Sequence, residues 1–332
     1  MSKARYDVAG IGNAIIDIIQ PVPDSFLVNE GIEKDSMTLI EESRADYLTS
    51  KFTSATVAPG GSAANTMTGI ASFGGRAAYM GKVADDELGA QYRREFVASG
   101  VDFRTPPYSA PPGTARSLIA VTPDAHRSMN TFLGASSLLS IVDVDDQLVR
   151  DSSVLFLEGY LFDREAAKMA FVHAAEIARA AGRKVSLTLS DLFCVDRHHQ
   201  SFLHLVDGHV DILFANEREI LRLYETDSLA AAIEAARAHA PITAITRSEH
   251  GSIVVARDET IEIKAAPVAQ LVDTTGAGDQ YAAGFLFGLS RERGLAECGA
   301  LASLAAAEVI SHMGPRPDVN LRGLALQHGM SV

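Results

Sequence analysis

The sequence predicts an α/β protein, a three-layer sandwich with a mostly parallel central sheet and a small second β-sheet beside it. Three observations predict this. From residue 152 onward, strand-like and helix-like segments alternate regularly. Two stretches, about 14–58 and 105–133, are instead β-like and broken by Pro and Gly. Gly and Ala are plentiful while Trp is absent, and small residues let helices approach a sheet closely. The 332 residues, 47% of them hydrophobic, are enough for one large body spanning 1–332, with the two β-like stretches forming an appended sheet that is a candidate lid.

Tyr6–Gly12 reads as a buried strand and Ala14–Ile19 as a second apolar stretch. Residues 21–60, broken by Pro21, Pro23, Gly31 and Pro59, read as short strands and turns. Ala63–Phe73 is helix-like and ends at Gly74-Gly75; Arg76–Ala84 is strand-like, and Asp85-Asp86 introduces a helix over Glu87–Ser99. Thr114–Thr122 and Arg127–Leu133 form a hairpin across the turn Pro123–His126. The alternation then runs Val154–Leu161 (strand), Arg164–Ala181 (helix), Lys184–Leu189 (strand), His198–Val206 (helix), Val210–Phe214 (strand). Helices over Glu217–Tyr224 and Leu229–His239, a strand Ile242–Thr246 and a β-rich Ser252–Ala265 follow, and two Ala-rich helices, Ala277–Leu289 and Leu295–Ser311, close the chain. Strand–helix–strand units of this kind imply crossover connections and parallel pairing.

A net charge of −13 argues against a nucleic-acid partner, which calls for a basic surface. Two cysteines, Cys194 and Cys298, without CxxC spacing give no disulfide framework and fit a reducing, cytoplasmic setting. The start, Met1-Ser2-Lys3-Ala4-Arg5, lacks the apolar stretch of a signal peptide, and no apolar run reaches the ~18 residues of a membrane span.

The most informative segment is Asp273-Thr274-Thr275-Gly276-Ala277-Gly278-Asp279, which leads directly into the apolar run Tyr281–Leu289. Small residues at Gly276, Ala277 and Gly278 leave backbone N–H groups unobstructed at a helix N-terminus, where the helix dipole adds roughly half a positive charge. Such a mouth suits an anion gathering charge in a transition state. Asp279, in the first turn of the same helix, can accept the proton of an attacking hydroxyl. An acid that merely favours a helix N-terminus is the other role open to it, and no capping role calls for three small residues in a row.

With Asp273–Asp279, and with Gly60-Gly61-Ser62-Ala63-Ala64-Asn65, Gly74-Gly75 and Gly81-Lys82-Val83-Ala84-Asp85-Asp86 upstream, the chain resembles the ribokinase-like (phosphofructokinase B-type) carbohydrate kinases over residues 6 to about 317. Gly12-Asn13…Asp17, Met129-Asn130-Thr131 and Gly314-Pro315-Arg316-Pro317 look most like the adenosine kinase branch. The resemblance implies ATP and Mg²⁺ as cofactors, with K⁺ a further candidate, and phosphoryl transfer to a primary hydroxyl with Asp279 as base. It implies substrate contacts from Asn13, Asp17, Gly60, Gly61, Ser62 and Asn65, with Asp17 holding a vicinal diol. It further implies Asn216, Thr246, Arg247 and Thr275 beside the nucleotide phosphates, together with Gly276 and Gly278, and Glu219 acting on Mg²⁺ through water. Arg127 on the hairpin matches a basic residue that closes over the transferred phosphate. Tyr160 and Phe162 are candidate walls for a nucleobase, core packing being the other role open to each.

The acceptor implied is adenosine, phosphorylated on its 5'-hydroxyl, with ribose, fructose or a related sugar as the alternative. Ser62-Ala63-Ala64-Asn65 departs from the vertebrate adenosine kinase pattern toward bacterial sugar kinases. The same resemblance leaves monomer and homodimer open, because a lid sheet either stays free or pairs with a second one. A non-catalytic nucleoside or sugar sensor on this scaffold would be expected to lose the base or the anion hole, and both are present. Other classes fail on their motifs. Gly10-Ile11-Gly12 lacks the third glycine of a dinucleotide fingerprint, Gly81-Lys82 is followed by Val83 where a phosphate-binding loop needs Ser or Thr, and there is no HExxH or GxSxG.

Overall fold

The computed structural model describes residues 4–124 and 126–332. Met1–Lys3, part of the start considered above, and Ala125 in the hairpin turn lie outside the described residues. In chain order the strands are β1 (Tyr6–Ile11), β2 (Ile15–Pro21), β3 (Met37–Leu39), β4 (Thr56–Gly60), β5 (Ala77–Met80), β6 (Asp102–Phe103) and β7 (Ala115–Val121). They continue as β8 (Arg127–Phe132), β9 (Ser152–Glu158), β10 (Lys184–Thr188), β11 (Ile212–Asn216), β12 (Ile242–Thr246), β13 (Ser252–Ala256) and β14 (Thr260–Ile263).

Nine of these strands make the large sheet, in the order β14-β13-β12-β11-β10-β9-β1-β5-β6. All neighbours from β12 to β6 run parallel, and β13 and β14 add an antiparallel edge. Helices cover both faces, so alternate side chains of one strand enter different cores. Val8 of β1 packs with Met67, Ile70, Ala282 and Phe285 on one side. Ala9 and Ile11 pack with Phe171, Ala174 and Phe202 on the other. Burial on both faces is why these strands are continuously apolar in sequence.

The other five strands form a separate sheet, β3-β8-β7-β2-β4, in which β2 pairs parallel with β7 and antiparallel with β4. Ile16 and Ile18 of β2 and Leu118 of β7 share a core with Leu27, Ala45 and Leu48, which belong to helices Asp24–Glu30 and Glu42–Lys51. Those helices therefore cover one face of the small sheet, and the face carrying Ile15, Asp17 and Ile19 is only half-buried.

The two helices correct the expectation of only strands and turns over 21–60. The Pro and Gly residues behind that expectation are helix punctuation: Pro23 stands at the N-cap of Asp24–Glu30, and Gly31, at φ 63°, closes it in the left-handed conformation. A third short helix, Leu321–Gln327, follows the Ala-rich pair, capped by the Asn320 side chain accepting from the Gly323 N–H. The helix expected from His198 begins earlier, as Leu192–His209 with a kink at His198.

Candidate functional site

The chemistry-bearing residues gather at the carboxyl ends of the parallel strands, where open α/β sheets bind ligands. Gly12 follows β1, Glu158 ends β9, and Asn216 and Thr246 end β11 and β12 side by side in register. Against this edge stands helix Ala277–Ser290, with Tyr281 hydrogen-bonded through its hydroxyl to the Ser252 hydroxyl at 2.7 Å.

The N-terminus of that helix is open. Gly276, at φ 80°, is its N-cap and no side chain caps it. Among the described residues the N–H groups of Gly278 and Asp279 find no acceptor. A side chain at Gly276 would be strained by that φ, and its Cβ would lie 2.5 Å from the Pro315 carbonyl oxygen. The preceding loop is pinned by Asp273, whose carboxylate accepts from the Thr275 N–H (3.0 Å) and hydroxyl (2.7 Å) and from the Gly314 N–H (2.9 Å). Arg127, at the start of β8, forms an ion pair with Asp273 through Nη1 and donates to the Thr275 hydroxyl at 2.9 Å. These hydrogen bonds hold the Asp273 carboxyl below the usual range.

Asp279 is half-buried beside the open N–H groups. One oxygen accepts from the Ser62 hydroxyl at 2.6 Å and the other from the Asn65 amide at 3.0 Å. Burial pushes its carboxyl up to about 6, with the two hydrogen bonds and the charge of Arg316 opposing. Asp17 faces the same space from the small sheet. No hydrogen bond from a described residue reaches its carboxylate, and burial pushes it, too, up to about 6, against the charges of Arg316 and Arg127. Gly60 makes room for it, since a Cβ there would lie 2.3 Å from a carboxylate oxygen of Asp17. Gly61, at φ 98°, would place a Cβ 2.0 Å from the Asn13 carbonyl oxygen, so only glycine lets β4 turn into helix Ser62–Ser72 here.

The structure thus brings Asp17, Gly60, Gly61, Ser62, Asn65, Arg127, Thr275, Gly276, Ala277, Gly278 and Asp279 into one region. Ser62 and Asn65 hold the Asp279 carboxylate, a contact the expectation of acceptor binding did not include. Other expectations need correction. Phe162 does not line a cleft: it is 3% exposed, stacked on Phe202 at 4.6 Å and edge-on to Phe171 at 5.5 Å. Tyr160 packs against the same core and donates its hydroxyl to the Ser190 carbonyl at 3.2 Å. Asn13, 2% exposed, makes its side-chain hydrogen bonds with Glu158 (2.8 Å) and Ser136 (3.0 Å). It joins the segment after β1 to β9.

Beyond the end of β12, Arg247 pairs with Glu217 at 2.9 Å. Glu219 and Asn216 form a reciprocal capping box, with both Glu219 oxygens accepting from Asn216. Burial and the nearby Asp191 push the Glu219 carboxyl up to about 7. A carboxylate oxygen that accepts one hydrogen bond keeps a lone pair for a water, so the residue fits a magnesium ion held indirectly. Among the described residues no three His, Cys, Asp or Glu side chains converge on a metal site. A magnesium ion here would therefore be carried largely by ATP phosphates and water.

Two residues escaped the sequence reading. Glu158, 1% exposed, accepts from the Asn13 N–H and from the Ala63 N–H at 2.8 Å, joining β9 to the helix that carries Ser62 and Asn65. Arg316 donates from Nε to the Asn65 carbonyl oxygen at 3.2 Å. Glu158 left no signal in a sequence; Arg316 stood in Gly314–Pro317 without a role.

An anion-binding helix mouth beside a hydrogen-bonded carboxylate, at the carboxyl edge of a parallel sheet, defines a phosphotransferase acting on hydroxyl groups. Residues 31–321 match the model of the pfkB family carbohydrate kinases, and the chain belongs to that family. A solved adenosine kinase from Sinorhizobium meliloti is 51% identical, with a TM-score of 0.92 over 98% of this chain and 100% of that one. A solved probable sugar kinase from Rhizobium etli CFN 42 is 46% identical, with a TM-score of 0.93 over 99% of this chain and 100% of that one. A nucleoside kinase of Methanothermobacter thermautotrophicus is 28% identical over 81% of this chain and 83% of its own length. No helix among the described residues is long and apolar enough to cross a membrane.

Proposed function

We propose that this kinase transfers the γ-phosphoryl group of ATP to the 5'-hydroxyl of adenosine. The observation that carries the reading is the pairing of a hydrogen-bonded carboxylate, Asp279, with the open N–H groups of its own helix, opposite a second carboxylate, Asp17, that has no donor among the described residues. A vicinal diol donates two hydrogen bonds to a carboxylate, which is the ligand Asp17 lacks. Ile15 and Ile19 flank Asp17 on the same face of β2, and Met129 lies across from Ile19 through Ile119, an apolar surface suited to a flat base. The identity to the S. meliloti adenosine kinase supports the same acceptor.

In this mechanism the small sheet acts as a lid, with the main α/β body built from the rest of the chain. The acceptor docks with its diol on Asp17, and Asp279, held by Ser62 and Asn65, takes the proton of the primary hydroxyl as it attacks phosphorus. The N–H groups of Gly278 and Asp279 meet the charge that develops on the transferred group. Arg127, anchored to Asp273 and Thr275, ties the sheet down over the loop and keeps water out. Bound magnesium would neutralise phosphate charge. Asn216, Thr246 and Arg247, at the ends of β11 and β12, are placed for the nucleotide. Helices cover the outer face of the small sheet, which favours a monomer over sheet-to-sheet pairing.

A panel assay of ADP release with Mg-ATP tests this, using adenosine, other nucleosides, ribose, fructose and 2-keto-3-deoxygluconate. Turnover should be greatest with adenosine. Turnover with a sugar and none with adenosine would favour the second reading, a sugar kinase, which the R. etli likeness and Ala63-Ala64 support. Tight binding without turnover would point to a sensor. Repeating the assay with KCl replaced by NaCl tests a monovalent ion near the loop.

A further inference from the structure

Arg316 sits where three parts of the site meet. Its own segment is locked to the base helix: the Gly314 N–H donates to Asp273 at 2.9 Å, and the Pro315 carbonyl accepts from Gln280 at 3.1 Å. The same Gln280 amide donates to the Asn65 backbone carbonyl at 3.0 Å. The guanidinium lies 5.5 Å from the centre of the Phe96 ring, and its Nη2 is buried without a partner among the described residues. Its Nε donates to Asn65 Oδ1.

That last contact has a directional consequence. A guanidinium has donors only, so the side of the Asn65 amide facing it must be the carbonyl oxygen. The amide nitrogen is thereby turned to Asp279, to which it donates. A flipped amide would set two donors against each other at Arg316 and two acceptors against each other at Asp279. The charge of Arg316 also bears on both carboxylates of the site, Asp17 and Asp279.

We propose that Arg316 is a positioning residue for the phosphoryl transfer: its Nε orients the Asn65 amide onto the base, and its charge is the counter-charge common to Asp17 and Asp279. The proposal rests on the kinase reading above and adds to it a residue that acts through Asn65 and through its charge. Other groups face the same space and set the background. Glu158 at the end of β9 and Tyr160 lie within electrostatic reach of Asp279, Arg127 on β8 acts on Asp17, and Tyr79, Tyr92 and Glu95 face Arg316.

The test compares wild type, Arg316→Met and Arg316→Lys in the pH profile of kcat/KM, with ¹³C-carboxyl NMR titration of Asp279 in each ligand-free protein. Removing a positive charge favours the protonated carboxyl, so in Arg316→Met the acidic limb and the Asp279 midpoint should both rise, by about one pH unit. Its kcat should fall roughly tenfold, the scale of one lost hydrogen bond in an active site. Arg316→Lys keeps the charge but loses the planar fork, so the limb should stay in place while kcat falls. A folded Arg316→Met with an unmoved limb and midpoint overturns the shared charge. Wild-type kcat in Arg316→Lys overturns the amide orientation, and that variant decides alone if Arg316→Met does not fold, a limb raised in it counting against the charge. If wild type turns over no acceptor, the kinase reading fails while the NMR midpoints still test Arg316.

Discussion

Along β1 every residue is buried, whereas along β2 burial alternates from one residue to the next until the exposed Pro21. The first strand lies between two helix layers, and the second has helices on one face only. The site draws on both kinds of sheet. Its proposed catalytic half, Asp279 and the open helix mouth, is fixed by the main body through Ser62, Asn65 and the Gly314–Arg316 segment. Its proposed acceptor half, Asp17, stands on the half-buried face of the small sheet. On the proposed mechanism, the difference means that the reacting groups are held before substrate arrives, while the acceptor itself helps to close the site.

Substitutions on the two halves should therefore behave differently. Asp279→Asn should lower kcat by about 10²–10⁴, the range for loss of a general base, with acceptor affinity by calorimetry little changed. A variant that keeps more than a tenth of wild-type kcat would remove Asp279 from the role of base. Asp17→Asn should act chiefly on acceptor KM, raising it by roughly 10- to 100-fold, since a hydrogen bond to a charged group is worth ~1.5–3 kcal/mol. An effect confined to kcat would place Asp17 in the chemistry instead. Arg127→Met cuts the tether between the sheet and the Asp273 loop. It should lower kcat about tenfold and raise ATP hydrolysis in the absence of acceptor, as expected when closure no longer excludes water. Unchanged hydrolysis and unchanged kcat would mean that the small sheet closes without it.

The smallest functional effect is expected in the core. Phe162→Leu should cost about 1–2 kcal/mol in urea unfolding, as large-to-small changes in packed cores do, with acceptor KM unchanged. A raised KM would return Phe162 to the acceptor wall. The wild-type pH profile bears on both halves at once. Asp17 and Asp279 both sit near 6 and act ionised, so kcat/KM should fall as pH drops through about 6, with a slope steeper than one group gives.

The segments legible in the sequence were those whose local pattern is unambiguous. Gly276–Asp279 announces an open helix mouth because no other residues leave its backbone bare, and the apolar strands from β9 to β12 announce a sheet buried on both faces. The helices Asp24–Glu30 and Glu42–Lys51 were missed because each is short, seven and ten residues, and Pro23 and Gly31 punctuate a helix as readily as a turn. Phe162 was misplaced because an aromatic after a strand looks the same whether it meets a ligand or, as here, Phe202.

By itself, the sequence determined the strand–helix alternation of the main body, the glycine positions that free the backbone, and the place of Asp279 in the first turn of the helix behind them, since each follows from neighbours along the chain. Only the tertiary structure decided which groups surround Asp279. Ser62, Asn65 and Arg316 are separated from Asp279 by up to 217 residues of chain, and hydrogen bonds over such distances follow from how strands and helices pack. Packing also decided that the Glu158 carboxylate, with its ordinary composition and ordinary place at a strand end, is buried as the joint between β9, Asn13 and helix Ser62–Ser72. Desolvation is a property of the assembled fold, and it is what shifts the carboxyls of Asp17, Glu158 and Asp279 upward.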